Sequence, residues 1–313
     1  MGSEKSASAE TRQDFRLLDW LLSIGMALAW GSAFLLIDIA IRDFHTAVVP
    51  FGRTFFGAAA LLMIPSARER IARQHWPRLI ALGFVWMALP FLLFPLAEQT
   101  VSSSIAGMMN GALPVVVAVV TAVWVRSLPS GRRIFAVLVG FAGIALIALP
   151  SIEDGASADI KGIVLLLLAL FSYAVALNLA RPLQAIYSPA TLMLNVAVVA
   201  CAISMPYGIW GIKYSTFSFG SLVAVAVLGV VGTGFAFVLF AILSKRTGTV
   251  RSMIPIYFTP IVGTILGISF NDEKLIGLSV LGMLVVVVGA WLTSRPEVGA
   301  ISNVATNTPT PIN

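Results

Sequence analysis

Charged residues are scarce in this chain. They make up 11% of its 313 residues, while hydrophobic residues make up 58% and the mean hydropathy is +0.96. A soluble domain carries about 25% charged residues, so a chain of this composition lacks the polar surface needed to cover a core in water. The composition therefore excludes a soluble globular protein and predicts an all-α membrane protein.

Residues that form covalent links or bind metals are also scarce. The one cysteine, Cys201, lies inside an apolar run, which excludes a disulfide framework and a thiolate metal site. His45 and His75 fall in connecting segments, with no second ligand at helical spacing. No HExxH, GxSxG or GxxxxGK[ST] sequence occurs. We therefore expect no metal, no cofactor and no enzymatic activity.

The basic residues do not form a nucleic-acid-binding surface. The formal net charge is +6, but the lysines and arginines stand in short clusters between apolar runs. This pattern is typical of loops that face an anionic lipid leaflet, so the expected partners are the lipid bilayer and a small-molecule substrate, and not nucleic acid.

Ten apolar runs have about the length needed to cross a bilayer. We predict spans at 17–37, 47–65, 79–97, 101–125, 133–150, 161–180, 189–210, 219–242, 249–270 and 275–294. The polar ends, 1–16 and 295–313, are predicted to be disordered.

The distribution of positive charge predicts the orientation of these spans. Fifteen lysines and arginines fall on the side of the N-terminus, four fall on the opposite side, and Arg53 lies within the second span. Cytoplasmic loops carry the excess of positive charge, so both termini are predicted to be cytoplasmic, in a bacterial-type inner membrane.

The chain also repeats itself at an offset of 146 residues. PVVVAVVTAVWVRSLPSG, which begins at Pro114, returns as PIVGTILGISFNDEKLIG, which begins at Pro260. The repeat predicts a first five-helix unit at 17–150, an external linker at 151–160 and a second five-helix unit at 161–294.

An odd number of spans in each unit predicts that the second unit is inverted in the membrane. The segment RSLPSGRR would then face the cytoplasm, and its counterpart NDEKLIG would face outward. The positive-inside bias acts on each segment separately, which accounts for the reversal of charge. Inverted repeats are typical of secondary transporters that bind substrate near the midplane of the membrane.

Two short motifs resemble those of a known group of transporters. AWGSAF at 29–34 resembles the tryptophan–glycine signature of the first helix in EamA-type exporters of the drug/metabolite transporter superfamily, and Pro260, Glu273 and Gly277 resemble their corner between helices 9 and 10. The first copy departs from this corner, with Ser127 in the place of the glutamate. The resemblance is closest to bacterial aromatic amino-acid exporters, and it implies that helices 1–4 and 6–9 surround a central cavity.

Two polar residues within the spans are candidates for substrate binding. Asn110 lies about nine residues into the fourth span, roughly 14 Å deep and near the midplane. Arg53 lies within the second span, where a charge is costly and therefore a functional candidate. Arg53 could bind a carboxylate or extend to the lipid headgroups, and Asn110 could bind substrate or join two helices.

Aromatic residues and prolines on the proposed cavity helices complete the candidate set. The predicted substrate-binding residues are Trp30, Phe34, Arg53, Trp86, Phe91, Phe94, Asn110 and Tyr257. Prolines in spans 3, 4 and 9 are predicted to kink helices or to take part in gating, and they are Pro90, Pro95, Pro114, Pro255 and Pro260.

These observations predict a secondary transporter that exports amino acids, aromatic or otherwise apolar, and related small metabolites by alternating access. Asp38 and Glu98 lie near the outer ends of their helices, and no carboxylate is predicted near the midplane, which weakens the case for proton coupling. The alternatives are an exporter of hydrophobic drugs, a passive channel and a membrane-embedded enzyme that acts on lipid.

Overall fold

The computed structural model describes residues 16–126, 130–153, 157–247, 254–271, 273 and 276–293. Within them the chain forms helices and turns and no β-strand, which confirms the all-α class for the described part. The tails predicted at 1–16 and 295–313 lie outside the described residues, except for Arg16.

Seven helices form the first half of the described chain and six form the second. The first half contains α1 (Leu17–Ile41), α2 (Val48–Leu62), α3 (Trp76–Leu82), α4 (Leu89–Ala97), α5 (Ser103–Asn110), α6 (Leu113–Val125) and α7 (Gly131–Glu153). The second half contains α8 (Ser157–Gln184), α9 (Pro189–Ile212), α10 (Phe219–Gly229), α11 (Ala236–Thr247), α12 (Ile254–Asn271) and α13 (Gly277–Thr293). Helix thus continues into both ends of the linker predicted at 151–160.

The lengths of the helices support a multi-pass membrane protein. Segments long and apolar enough to cross a bilayer are Leu17–Ile41, Arg73–Ala97, Ile160–Gln184, Pro189–Ile212, Phe219–Phe240 and Ile254–Asn271. The bent pair of α5 and α6 would make a seventh. Shorter apolar helices cover Val48–Leu62, Ile134–Leu149 and Gly277–Leu292. Each of these three overlaps one of the remaining predicted spans.

The two halves share an unusual feature at the same place. A π-helical turn, Gly83–Ala88, joins α3 to α4, and a second one, Val230–Phe235, joins α10 to α11. Such turns make up well under 1% of residues in globular proteins. Their recurrence 147 positions apart, within one residue of the offset found in the sequence, supports the duplication.

The contacts between helices follow the duplication as well. α1 packs against α12 and against α10 and α11, while its counterpart α8 packs against α5 and α6 and against α3 and α4. The counterparts α2 and α9 pack against each other, as do α7 and α13. This exchange of neighbours is what a two-fold axis between repeats produces.

The fourth predicted span is broken at its centre. α5 ends at Asn110 and α6 begins at Leu113, and their axes are bent by 43°. Pro114 lies in the first turn of α6, where its missing N–H is tolerated. Gly111 lies against the ring of Pro260, so a side chain here would separate α5 from α12. The bend directly precedes Pro114, and a causal role of this proline stays a prediction.

The other predicted kink prolines take two kinds of position. Pro90 and Pro255 lie in the first turns of α4 and α12, while Pro95 and Pro260 lie inside those helices. Pro90 lies two residues after the end of the π-helical turn, so the third span carries two irregularities within one short stretch. A role of these prolines in gating stays a prediction.

Glycines bring the backbones of α7 and α13 into direct contact. A Cβ atom added to Gly143 would lie 2.6 Å from the backbone nitrogen of Val286, and one added to Gly289 would lie 2.6 Å from that of Gly140. Both separations are shorter than a Cβ atom can sustain. Small residues allow this close packing, which holds membrane helices together through van der Waals contact.

Candidate functional site

Arg53 lies at the centre of the candidate site. Arg53 is 7% exposed, and its guanidinium carbon lies 3.8 Å from the centre of the Phe91 ring. Its Nε donates a hydrogen bond of 3.2 Å to Thr233 Oγ1, and among the described residues this is the one hydrogen bond that the guanidinium makes. A buried charge is costly, so the terminal nitrogens provide a strong site for an anion.

Close packing between the two halves brings Arg53 and Thr233 together. A Cβ atom on Gly229 would lie 2.7 Å from the carbonyl oxygen of Arg53, and one on Gly57 would lie 3.0 Å from Thr233. Thr233 itself lies within the second π-helical turn. Such turns are frequent at functional sites. Sequence analysis missed Thr233, although its position in the glycine-rich run VVGTG marks a close helix approach.

The aromatic side chains of the candidate set form two groups. Phe91 and Phe94 lie on one face of α4, and Phe94 is 5.7 Å from Phe34 and 6.1 Å from Tyr173 between ring centres. The second group joins Trp30 and Trp86 through Phe237, at 6.2 and 6.3 Å. Six of the eight predicted binding residues lie in these groups or at Arg53: Trp30, Phe34, Arg53, Trp86, Phe91 and Phe94.

The structure does not bring Asn110 and Tyr257 into contact with this aromatic set. Asn110 is half-buried at the end of α5, beside the break in the fourth span, and makes no side-chain hydrogen bond within the described chain. The Tyr257 hydroxyl donates to the carbonyl oxygen of Ala290 in α13, at 3.3 Å. The predicted pairing of these two residues across one substrate stays a prediction.

A cluster of polar residues, which we call the outer cluster, joins the two halves at the predicted external ends of α1, α5 and α12. Arg42 donates to Asp38 at 2.7 Å and to Asn271 at 2.6 Å, and Asn271 donates to Asp38 at 2.9 Å. Glu273 completes the cluster. These bonds connect helix ends that the distribution of positive charge places on one side of the membrane.

Glu273 caps the N-terminus of α5. Its carboxylate accepts hydrogen bonds from the backbone N–H groups of Ser103 and Ser104, both at 3.0 Å, and from the Ser103 hydroxyl at 2.7 Å. Burial alone would raise the pKa of the Glu273 carboxyl. The hydrogen bonds from Ser104 and Ser103 lower this pKa by more than burial raises it, so it lies below its ordinary value. The carboxylate is therefore charged at neutral pH and stabilises the helix terminus.

Glu98 directly follows α4 beside the outer cluster, and sequence analysis did not include it among the predicted binding residues. It is 6% exposed, and neither of its carboxyl oxygens has a hydrogen-bond partner. The sequence placed it near the end of a helix, where water would be expected. The available signal was its position seven residues after Phe91 and four after Phe94, on the same helical face.

The opposite ends of the helices are joined by a separate ion pair, which we call the inner pair. Arg246 at the end of α11 binds the carboxylate of Asp19 in the first turn of α1. The backbone N–H of Arg16 donates to the same carboxylate at 3.0 Å. Asp19 and Arg246 lie on the predicted cytoplasmic side, so polar contacts between the halves exist at both ends of the bundle.

A groove of about 190 Å³ between α6 and α7 is unrelated to these residues. Its lining consists of Ala118, Val119, Ala122, Val123, Ile134, Val137 and Leu138. It offers no polar group to a solute, and Val123 is largely exposed, as expected of a surface that faces lipid.

Comparisons with known proteins identify the architecture. The EamA-like transporter family matches residues 19–149 and 160–295, one match for each repeat. An uncharacterized transporter from Archaeoglobus fulgidus is 21% identical over 276 residues, covering 88% of this chain and 98% of the relative. The chain is also similar to a protein of known crystal structure, with 16% sequence identity and a TM-score of 0.59. The match covers 88% of this chain and 96% of that protein, which shows a shared fold.

Proposed function

The chain belongs to the EamA-like transporter family, and on that premise we propose that it exports amino acids with aromatic or other apolar side chains, and related small metabolites, by alternating access. The family accounts for a membrane transporter with two repeats and a small-molecule substrate. The substrate class rests on the residues of the candidate site.

One observation carries this proposal. The Arg53 guanidinium is buried against Phe91, and its Nε alone is hydrogen-bonded within the described chain. A guanidinium presents a planar fork that matches a carboxylate with two parallel hydrogen bonds. Phe94 lies one helical turn after Phe91, and its ring packs near those of Phe34 and Tyr173. These rings favour an apolar or aromatic side chain on the same molecule.

Two polar contacts support alternating access. The outer cluster and the inner pair each join the first half to the second, at opposite ends of the bundle. Breaking the contacts of the outer cluster while the inner pair stays formed, or the reverse, would expose the Arg53 region to one side of the membrane at a time. Rocking of one repeat against the other is the usual form of this motion.

Transport by the purified protein tests the proposal directly. Liposomes containing the full chain are loaded with radiolabelled amino acids, and efflux is measured with and without a pH gradient. We expect efflux of phenylalanine, tryptophan or leucine and little efflux of glutamate or lysine. Efflux of hydrophobic cations without any amino-acid efflux would instead show a drug exporter.

Labelling of single cysteines tests the proposed topology of ten spans with both termini in the cytoplasm. In a Cys201→Ser background, Ser130→Cys is expected to react with an impermeant maleimide from the cytoplasmic side. Ser157→Cys is expected to react from the external side, because α7 would separate the two positions by one crossing. Reaction of both from the same side would contradict an inverted five-plus-five arrangement.

Asn110 provides a second test of the site. Asn110→Leu is expected to weaken amino-acid binding by roughly 10- to 100-fold, because a hydrogen bond to a charged group contributes about 1.5–3 kcal/mol. Its counterpart in the second repeat is Ile256, so Ile256→Leu is the matched control and should bind normally. Isothermal titration of the purified variants gives both affinities, and an unchanged affinity in Asn110→Leu would assign the amide to helix packing.

A further inference from the structure

The carboxyl group of Glu98 lacks any partner despite its deep burial. It is 6% exposed, and both of its oxygens are without a hydrogen bond in the described structure. Buried side-chain oxygens are nearly always hydrogen-bonded, and a carboxylate left alone in a low-dielectric environment costs several kcal/mol. An oxygen pair of this kind marks a place that a proton or a positively charged ligand occupies.

The charged groups that face Glu98 come from three other parts of the chain. They are Asp38 of α1, Glu273 beyond α12 and Arg53 of α2. Asp38 is already bound by Arg42 and Asn271, and Glu273 by the N-terminus of α5. Of these three carboxyl groups, Glu98 is therefore the one whose oxygens have no hydrogen-bond partner among the described residues.

Glu98 and Arg53 lie at the two ends of one aromatic surface. Phe91, Phe94 and Glu98 follow one another on a single face of α4, and at 1.5 Å per residue the row is about 10 Å long. Arg53 covers the Phe91 end. Arg53 and Glu98 interact electrostatically but form no ion pair, so each retains the capacity to bind a charged ligand group.

We propose that Glu98 binds the ammonium group of the substrate while Arg53 binds its carboxylate. This assignment rests on the proposed function and makes it narrower, because it selects zwitterions over anions and amines. The apolar side chain of the ligand would lie along Phe34, Phe94 and Tyr173. Within the described residues no group of three or more His, Cys, Asp or Glu side chains is arranged to hold a metal ion, so an organic ammonium fits better than a metal.

Binding of an ammonium group at Glu98 would change the protonation of its carboxyl group. When the subsite is empty, burial favours the neutral carboxyl group of Glu98. An arriving ammonium group favours the carboxylate, so the carboxyl O–H bond breaks and its proton leaves to solvent as the ion pair forms. Binding of a zwitterion is therefore expected to be accompanied by the release of protons to the buffer.

Three probes separate the two charged subsites. L-phenylalanine carries both charges, N-acetyl-L-phenylalanine lacks the ammonium group, and phenethylamine lacks the carboxylate. Binding of each to the purified full chain is measured by isothermal titration in two buffers with different ionisation enthalpies, which also counts released protons. The variant is Glu98→Gln, which keeps the shape of the side chain.

The matched control is Asp43→Asn. Asp43 lies on the same predicted outer side, and its carboxylate accepts a hydrogen bond from Ser221 at 2.6 Å. It is not among the charges that face Glu98. The control removes one carboxylate from the external side without changing the charge in contact with Glu98.

The expected result is a loss specific to the ammonium group. Glu98→Gln should weaken binding of L-phenylalanine and phenethylamine by about 10- to 100-fold and abolish proton release, and it should leave N-acetyl-L-phenylalanine unchanged. Asp43→Asn should match the wild type with all three probes.

Other outcomes separate this inference from the proposed function. Equal weakening of all three probes, or wild-type affinity in Glu98→Gln, would overturn the ammonium subsite. Binding of phenethylamine but not of L-phenylalanine, lost in Glu98→Gln, would overturn amino-acid export and retain the subsite. Failure of all three probes to bind the wild type would overturn both.

Discussion

Arg53→Met is expected to reduce amino-acid affinity by at least about 100-fold. The substitution removes two charge-assisted hydrogen bonds to the carboxylate, each contributing about 1.5–3 kcal/mol. Methionine retains an unbranched apolar stem beside Phe91, so the packing of α2 against α4 is preserved. Equilibrium binding of radiolabelled L-phenylalanine to the purified protein measures the loss.

Two further substitutions separate recognition from charge. Arg53→Lys keeps the positive charge but loses the planar fork and its stacking on Phe91, so its affinity is expected to lie between those of the wild type and Arg53→Met. Arg68→Met removes an exposed arginine beyond the other end of α2 and should bind normally. Unchanged affinity in a monodisperse Arg53→Met protein would exclude the guanidinium from substrate binding.

The folded protein should not depend on Arg53. Replacing a buried charge by an apolar residue of similar size is often neutral or stabilising, because the cost of removing the charge from water disappears. The unfolding temperature of Arg53→Met in detergent is therefore expected to be no lower than that of the wild type. A stable protein that fails to bind is the pattern of a functional residue.

Gly289→Val is expected to prevent or strongly destabilise folding. A Cβ atom at this position would lie 2.6 Å from the backbone nitrogen of Gly140 and 2.7 Å from its Cα atom. The obstructing atoms belong to the backbone of α7, so no side-chain rotation relieves the clash and the two helices must separate. Overpacking of this kind costs roughly 3 kcal/mol or more.

The chain contains its own control for this prediction. Gly277 begins the same helix, and a Cβ atom added there meets no atom within 4 Å. Gly277→Val is therefore expected to purify in normal yield with an unfolding temperature close to that of the wild type. Size-exclusion profiles and thermal unfolding of both variants measure the difference, and equal behaviour of the two would show that α7 and α13 do not rely on backbone contact.

The repeat was predictable from the order of residues, whereas the two π-helical turns were not. The offset of 146 that relates Pro114 to Pro260 also relates the two π-helical turns to within one residue. The bend in the fourth span directly precedes Pro114, the proline at which the sequence predicts a kink. Arg53 was identifiable because a charge within an apolar run is costly in any arrangement of helices.

The partners of the site residues were not predictable in the same way. Thr233 lies 180 positions after Arg53 and Glu273 lies 170 after Ser103, and both hydrogen bonds join one repeat to the other. Periodicity identifies the residues that share a face of one helix, but it does not say which helix covers that face. Glu98 illustrates the difference, because the sequence places it at a helix end and only the packing of other helices shows that it is buried.

The sequence by itself determined that this protein lies in a membrane, that its chain is duplicated and that its second span carries a charge. These properties depend on composition and on distances along the chain, which do not change when the chain folds. The tertiary structure decided that Arg53 contacts Phe91 and Thr233, that Glu273 caps α5 and that Glu98 is buried without a partner. The contacts of Arg53 with Thr233 and of Glu273 with α5 join different repeats, and the contact of Arg53 with Phe91 joins two helices of the first repeat. Each depends on how helices distant in the sequence pack together, because burial and hydrogen bonding are set by neighbours in space.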